Sequence, residues 1–261
     1  MEEILLIWLS VIKNLFIRYF LFAGGTYFVF YILFKNRFVQ KKIQKRYPTW
    51  NSIKNEILHS FFTILIFGAV ATLVIKQFVG YTHIYQHVDE HGVAYLLLTV
   101  PLMFLIHDTY FYWLHRLMHH PLFFKRVHLV HHYSTNPTPF SAYSFHPLEA
   151  ILESAIIPLI AFTLPVHKTT LIFFLLFQFA YNVYGHLGYE LYPKKFHQWK
   201  ISKWINTSVA HNMHHRYSNY NYGLYFLFWD RIMGTLHQKY GATYEQITDP
   251  KEKVKIPEEI T

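Results

Sequence analysis

The chain opens on an apolar stretch over residues 4–34, interrupted only by Lys13 and Arg18 and carrying Gly24-Gly25. A helix that crosses a bilayer needs about 20 mostly apolar residues. Segment 4–16 reads as an interfacial or partly inserted helix, and 19–34 as most of a span. Arg18 then stands at the end of that span, where its head group can snorkel, and the glycine pair offers a kink. Residues 57–79 and 93–113 are a second and a third candidate span. Segments 149–165 and 168–184 are a further apolar pair joined at Pro165-Val166-His167, which fits a re-entrant hairpin or two spans. The fold predicted is all-α, a multi-spanning membrane bundle of about four spans. Residues 1–261 read as one domain, with a histidine-rich helical cap built from 107–140 and 186–237.

The polar stretches between these segments orient the bundle. Residues 35–48 hold Lys35, Arg37, Lys41, Lys42, Lys45 and Arg46 and no acid. A short loop this basic stays on the cytoplasmic side. Segment 80–92 is polar and falls on the opposite side, and the third span returns toward the cytoplasm. Beyond Gly185 the chain is polar, aromatic and rich in histidine, with a charged tail after Thr248. The cap also carries Arg116, Lys125, Arg126, Lys194, Lys195, Lys200 and Lys203, in keeping with a cytoplasmic position.

Composition supports a lipid-facing surface. Only 15% of the residues are charged, where soluble proteins carry roughly a quarter. The 25 Phe and 21 Tyr suit packed cores and bilayer interfaces. The net charge of +9 does not point to nucleic acid, because the basic residues cluster beside apolar runs. The acidic start Met1-Glu2-Glu3 is unlike a signal peptide. Cysteine is absent, which excludes disulfides, thiolate metal sites and cysteine-bound iron–sulfur clusters. No glycine-rich nucleotide fingerprint follows a strand.

Nineteen histidines change the picture, because eight of them fall in three boxes. The first is His115-Arg116-Leu117-Met118-His119, whose histidines lie one helical turn apart on one face. The second is His128-Leu129-Val130-His131-His132, and the third is His211-Asn212-Met213-His214-His215. In both, the first histidine can share a helical face with the other two. A lone histidine is more often a satisfied polar residue than a ligand, and one H-x-x-x-H arises by chance. Two H-x-x-H-H boxes and an H-x-x-x-H in a cysteine-free chain point to metal. Catalytic zinc takes three protein ligands and structural zinc four, so eight imidazoles suit two ions. Iron is the natural candidate for a redox pair that binds O2, while ligand type alone leaves zinc open.

The run from His107 to His120, the box His128–His132 and the run from His211 to Thr235 resemble the fatty acid hydroxylase/sterol desaturase superfamily of integral-membrane enzymes. The resemblance covers 104–235. Thr138–Glu149 and Gly185–Glu190 are similar to segments of the sterol ring-B desaturase subgroup, as is the spacing of three between the histidines of the first box. The resemblance implies that His115, His119, His128, His131, His132, His211, His214 and His215 ligate two iron ions. It suggests His186 as a ninth ligand. Asp108 and His146 are candidates to orient ligand imidazoles through their other ring nitrogen, and Asp230 and Arg231 to pair beside the site. His83, His87 and His91, spaced by four, offer a weaker second cluster, read first as a solvated loop. His59, His167, His197 and His237 are isolated and take no role.

By the same resemblance, the reaction is an O2-dependent oxidation of a C–H bond of a membrane lipid, sterol-like or fatty-acyl. Return of oxygen to the carbon gives an alcohol, and a second hydrogen abstraction gives an alkene. Substrate placement decides between them. Electrons come from outside, from a cytochrome, ferredoxin or flavin reductase partner. The rival readings are a zinc-dependent membrane hydrolase, a metal-binding transporter and a scaffold that keeps its metal for structure.

Overall fold

A computed structural model describes residues 1–249; the remainder of the expected charged tail, 250–261, lies outside the described residues. Three helices are long and apolar enough to cross a membrane: α1 (Glu2–Leu33), α2 (Trp50–Gln77) and α3 (Gly92–Met118). The first differs from the two-part reading. Residues 2–33 form one continuous helix, and Gly24 and Gly25 keep helical dihedrals, with π turns at Phe20–Gly24 and Phe28–Leu33. Arg18 therefore lies midway along α1 rather than at the end of a span.

The sides of these helices explain the pattern of the sequence. The buried positions of α2 are Ile53, Glu56, Ser60, Thr63, Ile64, Gly68, Thr72 and Val74, most of them three or four apart and small or polar. Leu58, Phe61, Phe62, Leu73 and Ile75 point outward. Helices in lipid gain little by hiding large apolar groups from their solvent, so small residues collect where helices meet. At Gly68 an added Cβ would sit 2.3 Å from Ile12 Cγ2, so α1 and α2 approach closely there. The Trp8 indole donates to Leu65 O across the same contact, at 3.3 Å.

The rest of the chain makes a second pass along this layer. α4 (Pro121–Val127) and α5 (Leu129–His132) follow α3 directly. α6 (Pro147–Ser154) and α7 (Ile156–Thr163) then run away from the histidine end. Glu149 of α6 lies beside His128, whereas Ala161 O of α7 accepts from His83 N at the opposite end. There a two-residue strand, β1 (Ile84–Tyr85), pairs in parallel with β2 (Val166–His167). α8 (Lys168–Gly185) returns from that strand to the histidine end. The apolar pair expected over 149–165 and 168–184 thus passes down and back, the first leg being two short helices rather than one long one.

The remaining helices form a cap: α9 (Ser208–Tyr217), α10 (Phe228–Ile232) and α11 (Tyr240–Thr248). The basic segment after α1 packs on this cap. Gln44 Nε2 donates to Thr135 O and to Asn212 Oδ1, at 2.8 and 2.9 Å. The basic loop and the histidine boxes therefore occupy one end of the molecule, as the sequence implied.

Candidate metal centre

The three boxes arrive on three helices. His115 lies in the last turn of α3 and His119 caps it. His128 precedes α5, which carries His131 and His132. His211, His214 and His215 are on α9, whose Thr207 hydroxyl caps it by accepting from Ala210 N at 3.1 Å. The ring nitrogens converge into two groups: His115, His119, His128, His132 and His214 in one, and His131, His186, His211 and His215 in the other. Within each group the candidate ligand atoms all lie within 4.8 Å of one another.

The division follows from helix geometry. Residues four apart lie about 40° apart around a helix, whereas adjacent residues are splayed by about 100°. The pairs 115/119 and 128/132 therefore share the first group, and 211/215 the second. The remaining histidine of each H-x-x-H-H box, His131 or His214, turns to the opposite group. The two groups abut, since the His132 and His215 rings stack with centroids 5.1 Å apart.

Which nitrogen carries the proton can be deduced from its partners. His115 Nδ1 donates to Tyr222 O at 2.9 Å, His186 Nδ1 to Asn182 O at 2.8 Å and His214 Nδ1 to Tyr220 O at 2.7 Å. His131 Nδ1 donates to Ser144 O at 3.3 Å, and His128 Nδ1 to Glu149 Oε1 at 2.7 Å. A carbonyl can only accept, so Nδ1 of His115, His131, His186 and His214 bears hydrogen and leaves a lone pair on Nε2; an ionised Glu149 imposes the same on His128. The Nε2 atoms face one another: His115–His128 at 3.0 Å, His132–His119 at 3.1 Å, His132–His214 at 3.0 Å, and His186–His211 at 2.9 Å.

Burial holds these rings neutral. It is the main cause in every case outside the spans, with repulsion from neighbouring imidazoles adding to it. His132 is lowered to about 3 and His186 to about 4. His119, His128, His131, His211, His214 and His215 are also held well below the usual imidazole range. Converging lone pairs of neutral imidazoles repel unless a cation lies between them. Two ligands at right angles around an ion at a metal–nitrogen length of about 2.1 Å are about 3.0 Å apart, close to the separations found. His215 supplies a second sign, because both its ring nitrogens are buried without a hydrogen-bond partner. The donor set fits a borderline transition metal such as iron or zinc.

Three expected roles need correction. His146 does not orient a ligand: it caps α6, its Nδ1 accepting from Leu148 N at 3.2 Å. Asp108 touches no ligand imidazole. Its Oδ1 accepts from Tyr225 N and Phe226 N, at 2.8 and 3.1 Å. Asp230 accepts from Tyr222 N and Gly223 N, both at 2.9 Å, rather than pairing with Arg231, which donates to Lys203 O. Together the two carboxylates fix the 222–226 loop, and Tyr222 of that loop supplies the carbonyl for His115. A Cβ at Gly223 would lie 2.2 Å from Phe226 O, which is why the loop takes glycine there. The direct carboxylate partner of a ligand is Glu149, which sequence reasoning missed. Its position beside the second box becomes visible only once α6 folds back. His83, His87 and His91 form no such group among the described residues.

Comparison with known proteins gives the family. The family model described as fatty acid hydroxylase matches residues 100–235, more than half of the chain. The chain belongs to the fatty acid hydroxylase family. It is 32% identical over 202 residues to a Delta(7)-sterol 5(6)-desaturase of Aspergillus fumigatus, covering 76% of this chain and 55% of that protein. It is 29% identical over 244 residues to the lathosterol oxidase of Mus musculus, covering 91% of this chain and 76% of that protein. No solved structure matches it. All three boxes and His186 fall inside the span matched by the family model.

Beside the histidines lies an apolar chamber of about 930 Å³ counting its mouth, walled by α1, α2, α3, α6, α7 and α8. Its inner wall touches the converging histidine rings. Phe111 packs on His115 with centroids 4.9 Å apart, Phe145 on His131 at 5.2 Å, and Asn182 provides the carbonyl for His186. Val11 and Ile75, at its other end, belong to the outer halves of α1 and α2.

Proposed function

We propose that this protein is an O2-dependent oxidoreductase that uses two histidine-bound iron ions to hydroxylate or desaturate a C–H bond of a membrane lipid. The observation that carries this reading is the contact between two converging all-histidine groups and one apolar chamber. The whole chain works as a single domain, with its spans forming the chamber and its cap holding the metals. The nine histidines named above are the ligands, five to one ion and four to the other. The sterol-acting relatives favour a sterol-like substrate over a fatty-acyl one.

Bound there, the iron pair would supply O2-dependent attack on an unactivated alkyl carbon. The protein's own contribution is placement. Phe111 and Phe145 exclude water between lipid and ligand rings. Asp108 and Asp230 hold the loop that fixes His115, Glu149 fixes His128, and Asn182 fixes His186. Full reduction of O2 takes four electrons, of which oxidation of the lipid supplies two; the other two would come from a separate donor, a cytochrome, ferredoxin or flavin reductase. The basic 35–48 segment beside the cap supports a cytoplasmic position for the metal end, within reach of such donors.

Lipid analysis under 18-O2 of cells expressing the wild type or His131→Ala tests this. A lipid that gains labelled oxygen only with the wild type makes the protein a hydroxylase. A lipid lighter by two hydrogens and unlabelled makes it a desaturase. No difference, with metal loading and a working reductase confirmed, refutes the oxidase and returns the zinc hydrolase, transporter or scaffold readings.

A further inference from the structure

Polar side chains facing an apolar chamber need a reason; Ser154 and Asn182 donate to backbone carbonyls, Ile151 O and Ala142 O, but Arg18, Glu153 and Gln178 keep polar atoms unused. Arg18 stands midway along a helix that crosses the bilayer and turns inward. Its Nη2 donates to the Tyr143 hydroxyl at 3.1 Å, and the guanidinium lies 5.4 Å from the centre of the Phe179 ring. Its Nε is buried without an acceptor. Neither Glu153 nor Gln178 has a hydrogen bond or ion pair among the described residues. An ionisable residue at this depth is costly to keep unless it serves a partner, and an unmade buried hydrogen bond adds to the cost.

We propose that Arg18, Gln178 and Glu153 form a polar subsite that binds the hydroxyl group of an uncharged lipid and so selects the carbon presented to the histidines. The proposal rests on the lipid-oxidation reading. An alcohol oxygen accepts from the guanidinium or the Gln178 amide while its proton is donated to Glu153. Burial pushes the Glu153 carboxyl up to about 8, and a fatty acid's carboxylate would likewise have to shed its water in an apolar chamber, a cost that a neutral alcohol avoids. The subsite also lies close to the metal centre. Tyr143, which Arg18 holds, has its ring 6.4 Å from Phe145, and Phe145 lies 5.2 Å from His131. Two side chains, Tyr143 and Phe145, lie between the guanidinium and a box histidine.

The test uses metal-loaded full-length protein in detergent and energy transfer from its tryptophans to dehydroergosterol, a fluorescent sterol. Competitors are 5α-cholestan-3β-ol, the matching hydrocarbon 5α-cholestane, and oleate. A hydrogen bond to a charged group predicts that the alcohol displaces the probe at about tenfold lower concentration than the hydrocarbon. Arg18→Met should remove most of that difference and Arg18→Lys should retain part of it, with metal content and melting temperature unchanged. Gln178→Leu should weaken it without touching Tyr143, and it decides the matter together with the wild type should Arg18→Met not fold. The subsite is overturned if the probe does not bind, if alcohol and hydrocarbon compete equally, if oleate outcompetes the alcohol, or if both Arg18→Met and Gln178→Leu leave the preference intact. Binding is read without turnover, so its outcome is separate from that of the labelling experiment: labelled lipid with no alcohol preference sinks the subsite alone.

Discussion

Replacing Glu149 by leucine should loosen one metal ion and leave the other in place. Both Glu149 and His128 are buried, and their 2.7 Å hydrogen bond is the one link between a carboxylate and a ligand ring among the described residues. Leucine removes the acceptor and leaves His128 Nδ1–H buried and unpaired, at a cost of roughly 1–3 kcal/mol. The imidazole also loses the negative charge that raises its basicity as a ligand. Loss of such a partner lowers metal affinity by roughly 10–100-fold, which is about 1.4–2.7 kcal/mol, so the two estimates agree. The second group draws on other acceptors, Ser144 O for His131 and Asn182 O for His186, and should not respond. Glu149→Gln keeps an oxygen that can accept and should lose only a few-fold. The assay equilibrates iron-loaded protein against graded chelator and counts iron per chain. One ion should leave Glu149→Leu at a chelator concentration lower by that factor, while the other leaves where it does in the wild type. Release of both ions together at the wild-type concentration, from a folded variant, would refute the division into two sites.

Two other consequences concern stability. Removing metal leaves neutral Nε2 atoms facing one another, so the metal-free protein should melt well below the loaded form. One ion present at 1,000 times its dissociation constant stabilises by about 4 kcal/mol, which for a chain of this size is roughly 8–16 °C; calorimetry before and after chelation reads it, and an unchanged midpoint would mean that the groups are not metal sites. Gly68→Val should destabilise by about 1–3 kcal/mol through overpacking, because its Cβ would collide with the branched Ile12 side chain on α1; unfolding in detergent at the wild-type midpoint would show that α1 and α2 do not meet there.

The boxes were legible because their signal is local. Histidines three and four apart fix their own relative direction, whatever the rest of the chain does. The spans were legible for the same kind of reason, since about 20 apolar residues in a row constrain length without reference to partners. What the sequence did not disclose depends on how distant segments meet. Glu149 reads as an ordinary acid at the start of an apolar run, and nothing near it says that α6 folds back onto the second box. Asp108 sits beside the first box in sequence, which suggested an imidazole partner. On α3, however, it faces the 222–226 loop, and it acts on His115 only through that loop.

Arg18 shows how one boundary alters a functional reading. Splitting 2–33 into an interfacial helix and a span puts the charge at an interface, where it can reach water and asks for no explanation. A continuous helix puts the same charge at mid-depth, where snorkelling is not available. Its inward contact with Tyr143 then becomes the economical way to keep it out of lipid. That contact, with a longer one from Nη1 to Leu175 O, uses the two terminal nitrogens and leaves Nε–H buried without an acceptor. A residue kept only to pin Tyr143 would need no such spare donor, nor an unpaired glutamate and glutamine sharing its chamber. The three together make sense as parts of a site whose remaining hydrogen bonds are completed by the lipid.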